Sequence, residues 1–134
     1  MPDLRTRKTD PDVLQSRQYG DAAVFFYDER VAPEPGGFWT RGDSASRLAV
    51  ALAPDRPTAL RLRAGPAPAT VQTTVDGDVQ RVTLAARATR DVTLRSRHTV
   101  ASVEIVTEGG FVPADLDPAT RDRRRLGVWV EVIR

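Results

Sequence analysis

Val71-Gln72-Thr73-Thr74-Val75-Asp76-Gly77-Asp78-Val79-Gln80-Arg81-Val82-Thr83-Leu84 decides the fold class. Val71, Thr73 and Val75 share one face of an extended chain, and Val82 and Leu84 do the same on the way back. Asp76-Gly77 between these runs is a strong short-range hairpin signal, because glycine accepts the positive φ that a two-residue turn requires. The same period of two recurs on both sides. Leu48, Val50 and Leu52 share a face, then Leu60 and Leu62, with Pro54 to Pro57 as the turn between them. Val92 and Leu94 follow, then Val103 and Ile105, and the chain closes with Val128, Val130 and Val132 alternating against Trp129 and Glu131. Upstream, the short run Ala22 to Tyr27 suits a strand buried on both faces rather than a helix, which needs ten or more residues. Pro33, Pro35, Gly36 and Gly37 predict a rigid loop, and Phe38 to Arg41 a short strand leaving it.

Strands this short and this closely spaced imply antiparallel pairing in two packed layers. Parallel pairing would need crossover helices, and no segment long enough has a helical period. The expectation is an all-β, two-sheet antiparallel β-sandwich of jelly-roll type with about nine short strands, a closed barrel being the alternative. Residues 1–18 are charged and carry no sustained period, so they read as a flexible arm or linker; residues 19–134 read as the single β-sandwich domain. Glu108 to Arg125 reads as a long loop.

Composition narrows the chemistry. A chain of 134 residues suits one domain that buries roughly two-thirds of its unfolded surface, so it needs no disulfide or metal staple. It contains no cysteine, which excludes disulfides, thiolate catalysis and cysteine zinc sites. The only histidine, His98, has no second histidine or serine elbow with which to build a zinc site or a triad. The net charge is only +2, although the pI is about 9.6. Arginines alternate with acids from Arg87 to Glu104 and no aromatic lies between residues 40 and 110, so nucleic acid is not the expected partner. Met1 to Lys8 leads into no apolar region, and no run approaches the ~20 apolar residues of a membrane span.

Three stretches carry a resemblance. They are Tyr19-Gly20-Asp21-Ala22-Ala23-Val24-Phe25-Phe26-Tyr27-Asp28-Glu29-Arg30-Val31, then Pro33-Glu34-Pro35-Gly36-Gly37-Phe38-Trp39-Thr40-Arg41-Gly42, and the tail from Gly109-Gly110-Phe111 through Asp122-Arg123-Arg124-Arg125-Leu126-Gly127-Val128-Trp129. Together they resemble a β-sandwich accessory domain at the C-terminal end of bacterial membrane glycosyltransferases of the dolichyl-phosphate-mannose–protein mannosyltransferase type. Other envelope-polysaccharide proteins carry similar arrangements. The resemblance implies an extracytoplasmic domain, periplasmic or at the cell surface, working beside a glycan-handling membrane enzyme. The membrane part of such an enzyme is not in this chain, so an excised domain or a free-standing relative is expected.

The candidate ligand site is the aromatic and charged cluster around the Pro-Gly loop: Tyr27, Asp28, Glu29, Arg30, Glu34, Trp39 and Arg41. Sugars need that mixture, because pyranose C–H faces stack on aromatic rings and hydroxyls pair with planar charged groups. Aromatics more commonly serve the interior. On that reading Phe38 and Trp39 are core or rim residues and the charges are solvated strand ends. Phe38 and Trp39 point to opposite faces, so a one-sided sheet buries only one of them deeply. In the second cluster, Asp122 and Arg124 share a face and are expected to pin the loop entering the last strand, with Gly127 allowing close backbone approach. Gripping an anionic glycan or a lipid phosphate is the alternative use of these arginines. No cofactor is expected; calcium through Asp115, Asp117 and Asp122 is the alternative, although the EF-hand ligand order is missing. Arg41-Gly42-Asp43 matches the integrin tripeptide only by coincidence at a turn-prone spot. The expected function is a non-catalytic accessory or binding module contacting carbohydrate or a glycan-handling membrane protein of the cell envelope. The alternative is a purely structural protein–protein interaction domain.

Overall fold

Local turn chemistry sets the strand pairs. In the computed structural model, which describes residues 13–134, Asp76 (φ 51°) and Gly77 (φ 79°) both take positive φ. They join Ala69–Val75 to Asp78–Leu84 in an antiparallel hairpin with Val75 opposite Asp78. A second tight turn has Pro35 at its second position and Gly36 (φ 87°) at its third, the residue order of a type II turn. It closes the hairpin of Val31–Glu34 with Gly37–Arg41.

Eleven strands result among the described residues: β1 (Gln15–Tyr19), β2 (Ala22–Phe26), β3 (Val31–Glu34), β4 (Gly37–Arg41), β5 (Ser44–Ala51), β6 (Thr58–Ala64), β7 (Ala69–Val75), β8 (Asp78–Leu84), β9 (Thr89–Leu94), β10 (Val100–Gly109) and β11 (Leu126–Ile133). One helical turn, α1 (Pro113–Leu116), interrupts the loop between β10 and β11. A six-stranded sheet has the order β1-β2-β5-β10-β7-β8, and a five-stranded sheet the order β3-β4-β11-β6-β9. All pairings are antiparallel. Strands β4 to β11 form one long hairpin of four pairs, β4 with β11, β5 with β10, β6 with β9 and β7 with β8, whose members alternate between the sheets. Rolled up, that hairpin is the eight-stranded double Greek key of a jelly roll. β1, β2 and β3 are additions at one side.

The core lies between the sheets and uses the inward half of each alternation. Leu48, Val50, Leu60, Leu62, Val71, Val103, Ile105, Val128 and Val130 are fully or almost fully buried. Phe26 meets Phe38 edge-to-face at 5.1 Å, and Tyr19 packs on Phe38 at 6.3 Å. The Tyr19 hydroxyl donates to the Gly37 carbonyl at 2.9 Å, and burial pushes its pKa up. Each such side chain contributes roughly 1.5–3 kcal/mol on leaving water.

Three expectations need correction. Gln15 to Gln18, read as part of the arm, belong to β1; they pair through backbone groups on an exposed edge and so show no hydrophobic period. Residues 1–12 of that arm lie outside the described residues. Pro33 and Gly37, read as loop, belong to strands β3 and β4; β3 is an edge strand, where Pro33 is tolerated. β2 is not buried on both faces, since Phe25 and Ala23 are half-buried on the outer side. No helix among the described residues is long and apolar enough to cross a membrane.

Candidate functional site

The outer face of the five-stranded sheet gathers the aromatic side chains that the core does not use. Along β4, Phe38 and Thr40 turn inward, while Trp39 and Arg41 turn outward and stay half-buried. On β11 the register shifts between Leu126 and Trp129, a bulge in which Leu126, Gly127 and Val128 are all buried. Gly127 is required there, because a Cβ would press on Thr107 Cγ2 and Thr40 Oγ1. The bulged Val128 N–H donates to Thr40 Oγ1 at 3.1 Å, and Thr40 shares a buried 3.0 Å hydrogen bond with Thr107. The bulge sets the phase that turns Trp129 outward, directly opposite Trp39 on one side and Arg63 of β6 on the other.

Two glycines provide the floor for the rings. A Cβ at Gly37 would lie 2.7 Å from Trp129 Cζ2, so the indole rests over that bare backbone. A Cβ at Gly65 would lie 2.9 Å from Phe111 Cδ1. Phe111 is held by paired backbone hydrogen bonds to Leu126, at 2.8 and 2.7 Å. Trp39 thus stands between two aromatics, Trp129 at 5.5 Å and 61° and Phe111 at 5.5 Å and 76°.

Polar groups flank this row on both sides. Arg61 Nε and Nη2 donate to the two Asp91 oxygens at 2.9 and 3.1 Å. These bonds hold the Asp91 carboxyl below its ordinary pKa and raise that of Arg61. Trp129 Nε1 donates to Glu131 Oε2 at 3.1 Å. Arg61, Arg63, Thr89, Trp129 and Glu131 together line a shallow pocket of about 40 Å³. On the other side, Arg124 binds Asp122 through Nε at 2.9 Å, Nη2 at 2.7 Å and its backbone N–H at 3.0 Å. Those bonds, side chain first, pull the Asp122 carboxyl down to about 2. Arg41 adds to that field, and its buried Nε has no partner among the described residues.

The structure divides the seven residues of the candidate ligand cluster. Glu34, Trp39 and Arg41 lie on β3 and β4. Tyr27, Asp28, Glu29 and Arg30 occupy the β2–β3 loop at the opposite end of β3 from the Pro-Gly turn, so the set is not one cluster around that turn. Asp28 closes this loop: it accepts from Arg30 N–H at 2.9 Å, Ser46 Oγ at 3.0 Å and Arg47 N–H at 3.0 Å. Arg30 donates to Ala45 O, and the Arg47 guanidinium sits 5.5 Å from the Tyr27 ring centre. Asp43 of the Arg-Gly-Asp tripeptide is likewise engaged, by Gly109 N–H and Arg125 Nε. Asp117 accepts from Ala119 N–H. Among the described residues no group of three or more acidic, cysteine or histidine side chains is placed to hold a metal ion.

Sequence reasoning missed Phe111, Arg61, Arg63, Trp129 and Glu131 as members of the candidate ligand site. Alternation alone marks Arg61, Arg63, Trp129 and Glu131 as outward, but only the strand order puts β11 between β4 and β6. A larger open cleft of about 360 Å³ lies at the β1–β2 turn, lined by Gln18, Tyr19, Asp21, Arg56 and Arg134 among others. Its carboxylate is already paired with Arg56 and lies 3.6 Å from Arg134, and its only ring belongs to Tyr19, whose hydroxyl is bound inward. It offers less to a ligand than the aromatic face. Comparison with protein-family models, with curated proteins and with solved structures gives no match to this chain.

Proposed function

We propose that this jelly roll is a non-catalytic module that binds carbohydrate on the outer face of its five-stranded sheet. One observation carries the reading: Trp129 borders a shallow pocket beside a guanidinium, Arg63, and a carboxylate, Glu131. An indole face suits the C–H face of a pyranose, while the fork of arginine and the two oxygens of glutamate suit its hydroxyls. Jelly rolls also serve as lectin domains, which makes the scaffold compatible with this use. The cell-envelope setting, beside a glycan-handling membrane protein, comes from the resemblance of residues 19–134 to accessory domains of membrane glycosyltransferases.

Both tryptophans of the chain, Trp39 and Trp129, belong to this face, so their fluorescence reports on it directly. Titration with a saccharide panel is expected to shift or quench the emission, and Trp129→Ala to abolish the response while far-UV circular dichroism is unchanged. Silence across the panel and on a glycan array would overturn the carbohydrate reading in favour of a protein-docking domain. Release of reducing sugar that is lost in Glu34→Gln would overturn the non-catalytic part.

A further inference from the structure

We infer that the face reads a single neutral pyranose, not a run of consecutive residues along a glycan chain; this rests on the carbohydrate reading above. A chain-binding platform needs two or more rings that each keep a face free, so that successive sugars each find one. Here the row is built edge-to-face instead. The planes of Trp39 and Trp129 meet at 61° and those of Trp39 and Phe111 at 76°, with centroids 5.5 Å apart in both pairs. Edge-to-face contact commits the rings to one another. Trp39, in the middle, has an aromatic neighbour on each side. Trp129 ends the row, and its far side borders the pocket that reaches Arg61 and Arg63 of β6 and Thr89 of β9.

That pocket of about 40 Å³ is far too small for a whole hexose. At roughly 10–15 Å³ per water it has room for about three, which is room for hydroxyl groups of one ring lying across the indole. The polar groups available there are complementary in kind. Arg63 is exposed and has no hydrogen-bond or ion-pair partner among the described residues. Glu131 uses Oε2 for the Trp129 N–H, and Oε1 accepts no hydrogen bond from the described residues. Arg61 is already engaged by Asp91. The four charges, Arg61, Arg63, Asp91 and Glu131, therefore sum to zero, and a guanidinium donor and a carboxylate acceptor flank one ring. A neutral vicinal diol uses both. A uronate or sulfated sugar would gain Arg63 but meet Glu131 as a like charge.

The test is calorimetric titration of the whole chain with methyl glycosides of glucose, mannose, galactose, N-acetylglucosamine and glucuronic acid. The best neutral binder is then taken as a linear series from mono- to tetrasaccharide. Affinity is expected to rise across the series by no more than the roughly fourfold that four equivalent residues contribute by counting. Arg63→Ala and Glu131→Gln should each cost about tenfold, the scale of one charge-assisted hydrogen bond, with Arg81→Ala on the other sheet unchanged. A gain of about tenfold with each added residue would mark a second stacked ring and overturn the single-sugar inference, while leaving the binding module intact. Tighter binding of the glucuronide than of every neutral glycoside would overturn the neutral preference. No binding by any member would overturn the parent reading along with it.

Discussion

Replacing Gly37 by alanine tests the claim that the bare backbone of β4 seats the Trp129 ring. The added Cβ would press on the Val130 carbonyl oxygen and lie 2.7 Å from Trp129 Cζ2 and 3.0 Å from Cε2. Favourable carbon contacts begin near ~3.5 Å, so the indole must move by roughly 0.5–1 Å. The oxygen is backbone in the β4–β11 ladder and cannot swing aside, so the strands must separate as well. Overpacking of this kind costs about 1–3 kcal/mol, and the rigid neighbour points to the upper part of that range. Gly36, one residue earlier, is the control. It has φ 87° and nothing within 4 Å of a built Cβ, so alanine there meets only the left-handed backbone penalty of about 1–2 kcal/mol. Urea titration measures both losses, and tryptophan emission separates their causes. Gly37→Ala should shift the emission and weaken sugar binding by up to about tenfold, the worth of a displaced stacking face, whereas Gly36→Ala should change neither. A Gly37→Ala protein with the urea midpoint, emission and sugar affinity of the parent would refute the reasoning.

Two further outcomes follow from buried and charged groups. Thr40→Val keeps the volume but strands the Val128 N–H of the bulge and the Thr107 hydroxyl, at a cost of about 1–3 kcal/mol in urea. Thr107→Val in the same chain should then cost less than it does alone, as a double-mutant cycle would show. Asp122 has a folded pKa of about 2, below its ordinary 3.8, so its contribution is fully present above about pH 4 and is lost as pH falls toward 2. Asp43, Asp76 and Asp91 are shifted in the same direction and add to that acid limb. Urea midpoints between pH 5 and pH 2 should therefore fall less steeply in Asp122→Asn than in the parent.

The layers of this fold are legible because they rest on local rules. The Val71 to Leu84 hairpin is specified by Asp76-Gly77, and the inward positions of β5, β6, β7 and β10 follow from alternation within each strand. β1 and β3 are not legible in the same way. Both are edges, one polar and one holding Pro33, and their pairing is carried by backbone groups that leave no side-chain period. Half of the site was open to the same reasoning, since Phe38 inward requires Trp39 outward. The other half depends on contacts between distant positions. The Trp39 and Trp129 rows meet only because β11 pairs with β4, and the bulge hydrogen bond spans 88 residues of sequence. Asp28 misled for the same reason. A carboxylate among charges reads as a ligand group until Ser46 and Arg47, on another strand, are seen to occupy both of its oxygens.

The position of the aromatic face in the roll has an energetic consequence. β4 and β11 are the first and last strands of the eight-stranded hairpin, so the Trp39–Trp129 contact joins the two ends of the roll. Trp129 cannot be seated by β11 alone, because its floor is Gly37 and its neighbours are Trp39 and Arg63, on the two flanking strands. On the carbohydrate reading proposed above, a sugar across β11 and β6 would meet no equivalent surface in the unfolded chain. Its binding free energy would therefore add to the stability of the whole sandwich by mass action, growing with the logarithm of concentration over Kd. The same non-local construction that hides the site from sequence inspection thus couples it to global folding, and a sugar ring held on Trp129 would act on the β4–β11 pair that joins the two ends of the roll.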